Sequence, residues 1–485
     1  MWQSSALQYN YDLFKITSEI INGIKKVNVL LFEDASKVTM TATVTGKSEI
    51  SQTPKKEIKV SSELNKIRIL IIYRKREDGI MKNVLYGDGI HDDLPAIQEM
   101  LDCQAYVYLP APKKNYLING AIKLNSNQEL KLDRYTRIML GDYSNCCMLE
   151  NKDMDSGNKN IKISGGIWDM NHRNQRPNPG HFADKEKGES LLWEWLSDPQ
   201  NFDANGKQPI KVYTGICMYF FNIKGFTISD ITIENPIIYG LDLSFVEDFT
   251  IENINFDYFE GSPKLWNMDG IHIEGGCKNG YIHNLYGACH DDTVAITSDD
   301  MVYGDIENIT VDGIYGQNSH SAVRLLSRSH KVKNIHITNV YGTYYVYGVI
   351  ISKYTKAKEY RSEFSNITID NFYASLCEGT VDVKGNECAL IHFGDDIDVE
   401  NVVIEKLFRD ETHINLPTIH LGNDCNINCL SISDCFQTNA TDKPIAFIEN
   451  KGIIDKLYLK NIKQDEELMN GSGTVNNTYI CEGTK

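Results

Sequence analysis

From about residue 105 onward the chain repeats a short phrase: a polar residue, often Asn, then apolar–x–apolar. It reads Asn160-Ile161-Lys162-Ile163, Gly225-Phe226-Thr227-Ile228, Asp248-Phe249-Thr250-Ile251 and Gly280-Tyr281-Ile282. Asn308-Ile309-Thr310-Val311, Asn334-Ile335-His336-Ile337, Asn366-Ile367-Thr368-Ile369 and Asn401-Val402-Val403-Ile404 continue it. Apolar anchors at 226, 249, 281, 309, 335, 367 and 402 are 23, 32, 28, 26, 32 and 35 residues apart. Self-similarity at such a period is the mark of a solenoid. The units hold short alternating strands and no helical period, which excludes leucine-rich and helical repeats. A β-sandwich would need hairpin signals such as Asn-Gly between strands, and these are scarce. The pattern therefore predicts an all-β chain, a right-handed parallel β-helix over residues 85–485. Its stacked rungs carry Asn or apolar ladders inside.

The preceding stretch differs. Val27–Phe32, Lys37–Val44, Glu57–Val60 and Lys66–Tyr73 read as strands broken by polar turns. They predict a small β-rich module over residues 1–80, with a β-sandwich as one form it can take, and a packing or spacer role. Gly87-Asp88-Gly89 then signals a turn. Asp92 or Asp93 is placed to cap a short helix from Pro95 to Asp102. Ala96, Ile97, Met100 and Leu101 share one face of it, suited to cover the open end of a β structure. Residues 172–212 interrupt the repeat and read as a long loop with a helical turn. In it Trp193 is a candidate for stacking on a sugar ring, or for anchoring the loop.

Composition narrows the partners. Hydrophobic residues make up 41% of the 485-residue chain, enough for a sizeable core. The formal net charge of −17 argues against nucleic acid. An acidic polysaccharide is also a polyanion, so a cleft for one must be locally basic or neutral. No apolar run is long enough to span a membrane, and Met1–Asn10 lacks the pattern of a secretory signal. The expected location is therefore cytoplasmic, with secretion or a virion as alternatives. The twelve cysteines show no disulfide framework. The group Cys425, Cys429 and Cys435 lacks the tight CxxC pairs of a zinc site, so reduced thiols are expected and no metal or cofactor.

Residues one rung apart in sequence are neighbours in space, about 4.8 Å apart. Asp269, in Asn267-Met268-Asp269-Gly270, precedes Asp291 and Asp292, in His290-Asp291-Asp292, by 22 and 23 residues. His320 follows Asp292 by 28 residues, and Lys353 follows His320 by 33. The spacing predicts three carboxylates on one face, with His320 and Lys353 on the rungs beyond. Clustered carboxylates raise one another's pKa, so that one can donate a proton while another activates water. That is the division of labour in glycoside hydrolysis. A calcium site, or solvated turn aspartates, would use the same residues.

At these motifs the sequence resembles the polygalacturonase family of glycoside hydrolases, family 28, within the pectinase-like β-helices. The resemblance spans roughly residues 85–460. Gly87-Asp88-Gly89-Ile90-His91-Asp92-Asp93 with Ala96-Ile97-Gln98 is similar to the opening phrase of that superfamily. Ser164-Gly165-Gly166-Ile167-Trp168-Asp169 is similar to its Gly-Gly-x-Ile-Asp segment. Asn267-Met268-Asp269-Gly270 resembles Asn-Thr-Asp, and His290-Asp291-Asp292 resembles Gly-Asp-Asp. Ser319-His320-Ser321 stands for Gly-His-Gly, and Gly348-Val349-Ile350-Ile351-Ser352-Lys353 for Gly-Leu-x-Arg-Ile-Lys. The resemblance implies inverting hydrolysis of a pectic or related polysaccharide or oligosaccharide. Asp291 would be the general acid, and Asp269 and Asp292 would position and deprotonate water. His320 would help set the protonation of the acid. Asn267, His290 and Lys353 would contact substrate, and Arg324 would either substitute for the family Arg that Ile351 replaces or only brace the rung. A β-elimination lyase, an epimerase or transglycosidase, and a non-catalytic carbohydrate-binding β-helix such as a phage tailspike are the rival readings.

Overall fold

The computed structural model describes four strands between residues 8 and 44, and residues 83–177, 209–258, 267–353, 361–379, 389–481 and 483–484. The chain divides into two units, Met1–Asn83 and Val84–Lys485. In the first, strands Gln8–Tyr11, Phe14–Ile21, Ile24–Glu33 and Ser36–Val44 form an antiparallel meander in sequence order. The third and fourth cover the expected 27–32 and 37–44 strands; the first two were not foreseen. The expected strands 57–60 and 66–73 lie outside the described residues.

The second unit is a right-handed parallel β-helix. Its strands pair with their equivalents one turn away, parallel throughout the sheet. Two inward ladders form the core under the site. Leu241, Ile271, Val294, Val323, Val349, Ile391, Ile419 and Ile448 stack in register, each 0% exposed. Leu243, Ile273, Ile296, Leu325, Ile351, Phe393 and Leu421 form the second, equally buried. Strict alternation then sends the residues between them outward. Asp242, His272, Ala295, Arg324, Ile350, His392 and His420 thus make one outward ladder.

Helix Leu94–Cys103 closes the N-terminal end, burying Ala96, Ile97, Met100 and Leu101 as its period predicts. Gln98 exchanges hydrogen bonds with the backbone N–H and C=O of Lys123, pairing a strand edge that would otherwise be open. Asp93 occupies the N-cap position without capping. Its carboxylate instead accepts from the backbone N–H groups of Tyr86, Gly87 and Leu117, tying the helix to the first rung.

The recurrent asparagines are not inside. Asn308, Asn334 and Asn366 adopt φ of 60°, 57° and 55°, the left-handed conformation that Asn tolerates. They turn the chain between strands and bond side chain to side chain along the exposed surface, Asn279 to Asn308 to Asn334 to Asn366 to Asn401. Eleven cysteines among the described residues are free thiols. No helix among the described residues is long and apolar enough to cross a membrane.

Candidate active site

The site lies where strand Asp292–Thr297 meets Ile271–Ile273 on one side and Ile306–Ser327 on the other. Asp269 precedes the first turn of its rung, and the N–H of Gly270 donates to the C=O of Asp292. That bond sets Asp269 level with Asp292. Asp292 pairs in register with Ser321, and Ser321 with Tyr347. Asp269 and Asp292 are buried at 3% and 2% exposure, whereas the Asp291 side chain is 20% exposed. Asp291 is thus the carboxylate of the trio most open to a ligand.

Each carboxylate is held by named donors. Asp291 Oδ2 accepts the backbone N–H of Asn267 at 3.0 Å, and Asn267 sits at φ 56° to present it. The Tyr347 hydroxyl donates to Asp292 Oδ1 at 3.1 Å, and Arg324 Nη1 lies 3.7 Å from Asp292 Oδ2. Asp269 Oδ2 meets His272 Nδ1 at 2.5 Å. Burial pushes all three carboxylates up. Repulsion by Asp291 and Asp292 adds to burial at Asp269, while Arg324 opposes the rise at all three. Asp292 is pushed up to about 6 by burial and by Asp291, against the pull of Arg324, His320 and Tyr347.

His320 Nδ1 lies 2.6 Å from Ser321 Oγ and 3.6 Å from Asp291 Oδ1, with its ring edge-on to Tyr345 and Tyr347. Burial pulls it down to about 4, so the ring is neutral at neutral pH. His290 Nε2 donates to the C=O of Tyr258 at 2.9 Å, which leaves Nδ1 as its acceptor. Arg324 is the cation of the cluster, and its Nε–H is buried without a hydrogen-bond partner. A guanidinium beside Asp292 occupies electrostatically the place a calcium ion would take, although one ligand atom each of Asp291, Asp292 and His320 lie within 4.8 Å of one another.

The structure therefore brings together Asp269, Asp291, Asp292, His320, His290, Asn267 and Arg324. It does not bring in Lys353. That residue pairs with Ser327, three positions (about 10 Å) past the Arg324–Ile350 level, and its ammonium lies 3.6 Å from Asp396. Rung length misled the spacing argument: Ser319 and Ser321 pair with Tyr344 and Tyr347, so His320 faces the Tyr345–Val346 level. Ile351 is likewise not the vacated Arg position, because it points into the core at 0% exposure. The outward position at that level is Ile350, directly in register with Arg324. Trp193 lies outside the described residues. Asp291 and Asp292 approach more closely than the 6.5–9.5 Å usual between the carboxyl groups of an inverting pair.

Tyr347, His272, Glu274 and Asp300 went unnoticed in the sequence. His272-Ile273-Glu274 carried a signal: polar residues alternate with core isoleucines straight after Asp269-Gly270, so both must face the site side. Tyr347 carried none, since its level depends on the irregular pairing between Ser319 and Ser321.

The fold and the site are thus a parallel β-helix with aspartates of adjacent rungs gathered on one outward face. Over part of its length the chain is similar to the glycosyl hydrolases of family 28. The model for glycosyl hydrolases family 28 matches residues 200–320, the stretch holding Asp269, Asp291, Asp292 and His320. Comparison with curated proteins gives no match. Among solved structures, the exopolygalacturonase of Thermotoga maritima is 17% identical, with 83% of this chain and 96% of that one covered and a TM-score of 0.49. The family 28 exopolygalacturonase of Yersinia enterocolitica is 14% identical, covering 95% and 84% with a TM-score of 0.44. The surface adhesin PfbA of Streptococcus pneumoniae is also 14% identical, covering 82% and 92% with a TM-score of 0.43.

Proposed function

We propose that the protein hydrolyses glycosidic bonds in a pectic or related polysaccharide or oligosaccharide, with inversion, at the Asp269–Asp291–Asp292 cluster. The observation that carries this reading is the pairing of three close carboxylates with one guanidinium, inside the segment that matches family 28. Three carboxylates beside a single Arg324 cannot all ionise at neutral pH. Asp291, the carboxylate most open to a ligand and the general acid by resemblance to family 28, delivers the proton to the leaving oxygen. Asp292, stabilised as an anion by Arg324 and Tyr347, accepts the proton of the attacking water together with Asp269. His320, neutral and 3.6 Å from Asp291, orients the acid without adding charge. The inversion is carried over from the family, not from the carboxylate spacing.

The Arg324 guanidinium, on a side chain 32% exposed beside Asp292, favours an anionic sugar, because a uronate carboxylate can pair with it. Reducing-end release from a panel of uronide and neutral oligosaccharides tests the substrate. Wild type is expected to cut uronides preferentially, and Arg324→Gln to lose at least about tenfold in kcat/KM on them, on the scale of a charged hydrogen bond. Equal cutting of uronides and neutral sugars by wild type, or no loss on uronides in Arg324→Gln, would remove uronate recognition from the account.

A further inference from the structure

A second polar cluster adjoins the aspartate trio, farther along the same strands. Asp242 and His272 are in register on successive rungs, and Glu274 is the next outward residue after His272. Asp300 approaches from the bend after strand Asp292–Thr297. Asp242 and Glu274 are 0% exposed and His272 is 2% exposed. His272 Nε2 lies 3.5 Å from Glu274 Oε1 and 3.8 Å from Asp300 Oδ2, and one ligand atom of each lies within 4.8 Å of the others. Two ligand atoms bound to one ion at about 2.1 Å stand about 3.0–3.4 Å apart, so His272 and Glu274 are already near that spacing, and the cluster as a whole, within 4.8 Å, would draw together to complete a coordination shell.

The surroundings hold these groups in place. Both Glu274 oxygens accept from the N–H groups of Met301 and Val302. The Tyr239 hydroxyl donates to Asp300 Oδ2 at 3.2 Å, and the Tyr239 ring stacks on His272 at 3.8 Å. Thr297 Oγ1 meets His272 Nε2 at 2.8 Å. One group remains unsatisfied: Asp242 Oδ2 is fully buried with no hydrogen-bond partner. Its other oxygen takes the Ser244 hydroxyl at 3.2 Å, and its charge bears on Glu274 and Asp300. Among the described residues neither Asp242 nor Glu274 forms an ion pair with Lys or Arg. A buried carboxylate oxygen with nothing to bond is costly, and a cation is the group that would satisfy it.

We propose that His272, Glu274 and Asp300 bind one divalent ion of the manganese or zinc kind, beside the buried carboxyl of Asp242. The imidazole selects against calcium and magnesium, which prefer oxygen alone. The site stands apart from the hydrolase reading, but one consequence rests on it. An ion on Nε2 leaves the His272 proton on Nδ1, where it donates to Asp269 Oδ2 and fixes the orientation of that side chain. His272 is then a positioning residue for the water-activating pair.

The test is direct binding of Mn2+ to chelator-treated, dialysed full-length protein, read by the electron paramagnetic resonance of free ion, with Zn2+ competition. One saturable equivalent is expected in wild type and in Asp291→Asn. Glu274→Gln, and the more exposed Asp300→Asn in case the buried variant fails to fold, are expected to weaken binding at least about tenfold. No saturable binding to wild type overturns the proposal. So does binding lost in Asp291→Asn but kept in Glu274→Gln and Asp300→Asn, which would put the ion in the aspartate trio. Because binding is read without a substrate, an inactive protein that binds Mn2+ at His272 would refute the hydrolase reading alone.

Discussion

Asp292 has the most finely balanced environment in the site. Burial and Asp291 push its pKa up to about 6, while Arg324, His320 and the Tyr347 hydroxyl hold it down. In its proposed role as base it must be ionised, so kcat/KM is expected to fall as pH drops through about 6. Tyr347→Phe removes a hydrogen bond that favours the anion. The acid limb should therefore move to higher pH, by up to about one unit, with the alkaline limb unchanged. A limb that stays in place when pH profiles of the two proteins are overlaid would mean that Asp292 is not the group titrating. His272 and Glu274 extend the same logic beyond the trio: each faces outward only because Ile271 and Ile273 face in.

At the scale of the strands, register decides which side chains meet. Phe249 pairs with Gly280, not with Tyr281, and the Phe249 ring fills the space beside Gly280. A Cβ on Gly280 would lie 2.1 Å from that ring. Gly280→Ala is expected to lower stability by about 1–3 kcal/mol, the scale of an overpacked core, seen as an earlier midpoint in urea; an unchanged midpoint would show that the ring swings away freely. The same pair explains what the residues revealed and what they hid. The apolar–x–apolar phrase exposed the rungs, and the 3.6-residue period gave all four buried positions of the end helix. The anchor at 281 was one residue off, because a glycine had replaced an apolar anchor. Lys353 was set one rung beyond His320 by counting, but irregular pairing at Ser319 and Ser321 put Tyr345 and Val346 there. The Asn ladder was expected inside, yet its positive φ makes it the outer corner of each turn. Spacing finds neighbours only where rung length is constant, and here turns of different length separate the strands.

Across the whole β-helix, two inward ladders of aliphatic side chains fix the rungs, and the outward positions between them carry the chemistry. This division lets the aspartates of adjacent rungs crowd together without disturbing the core. The chain as a whole carries −17, yet at the site Arg324 sets a cation against the carboxylates where a polyanion would have to dock. The central claim is hydrolysis with inversion by this cluster. Its most direct test follows the anomeric protons of a pectic oligosaccharide by NMR as it is cut, wild type beside Asp291→Asn. The account predicts that the anomer of inverted configuration appears first, and that Asp291→Asn slows its release by at least about a hundredfold, the scale of losing a general acid. First release of the retained anomer, an unsaturated uronide signal, or equal rates for the two proteins would contradict it.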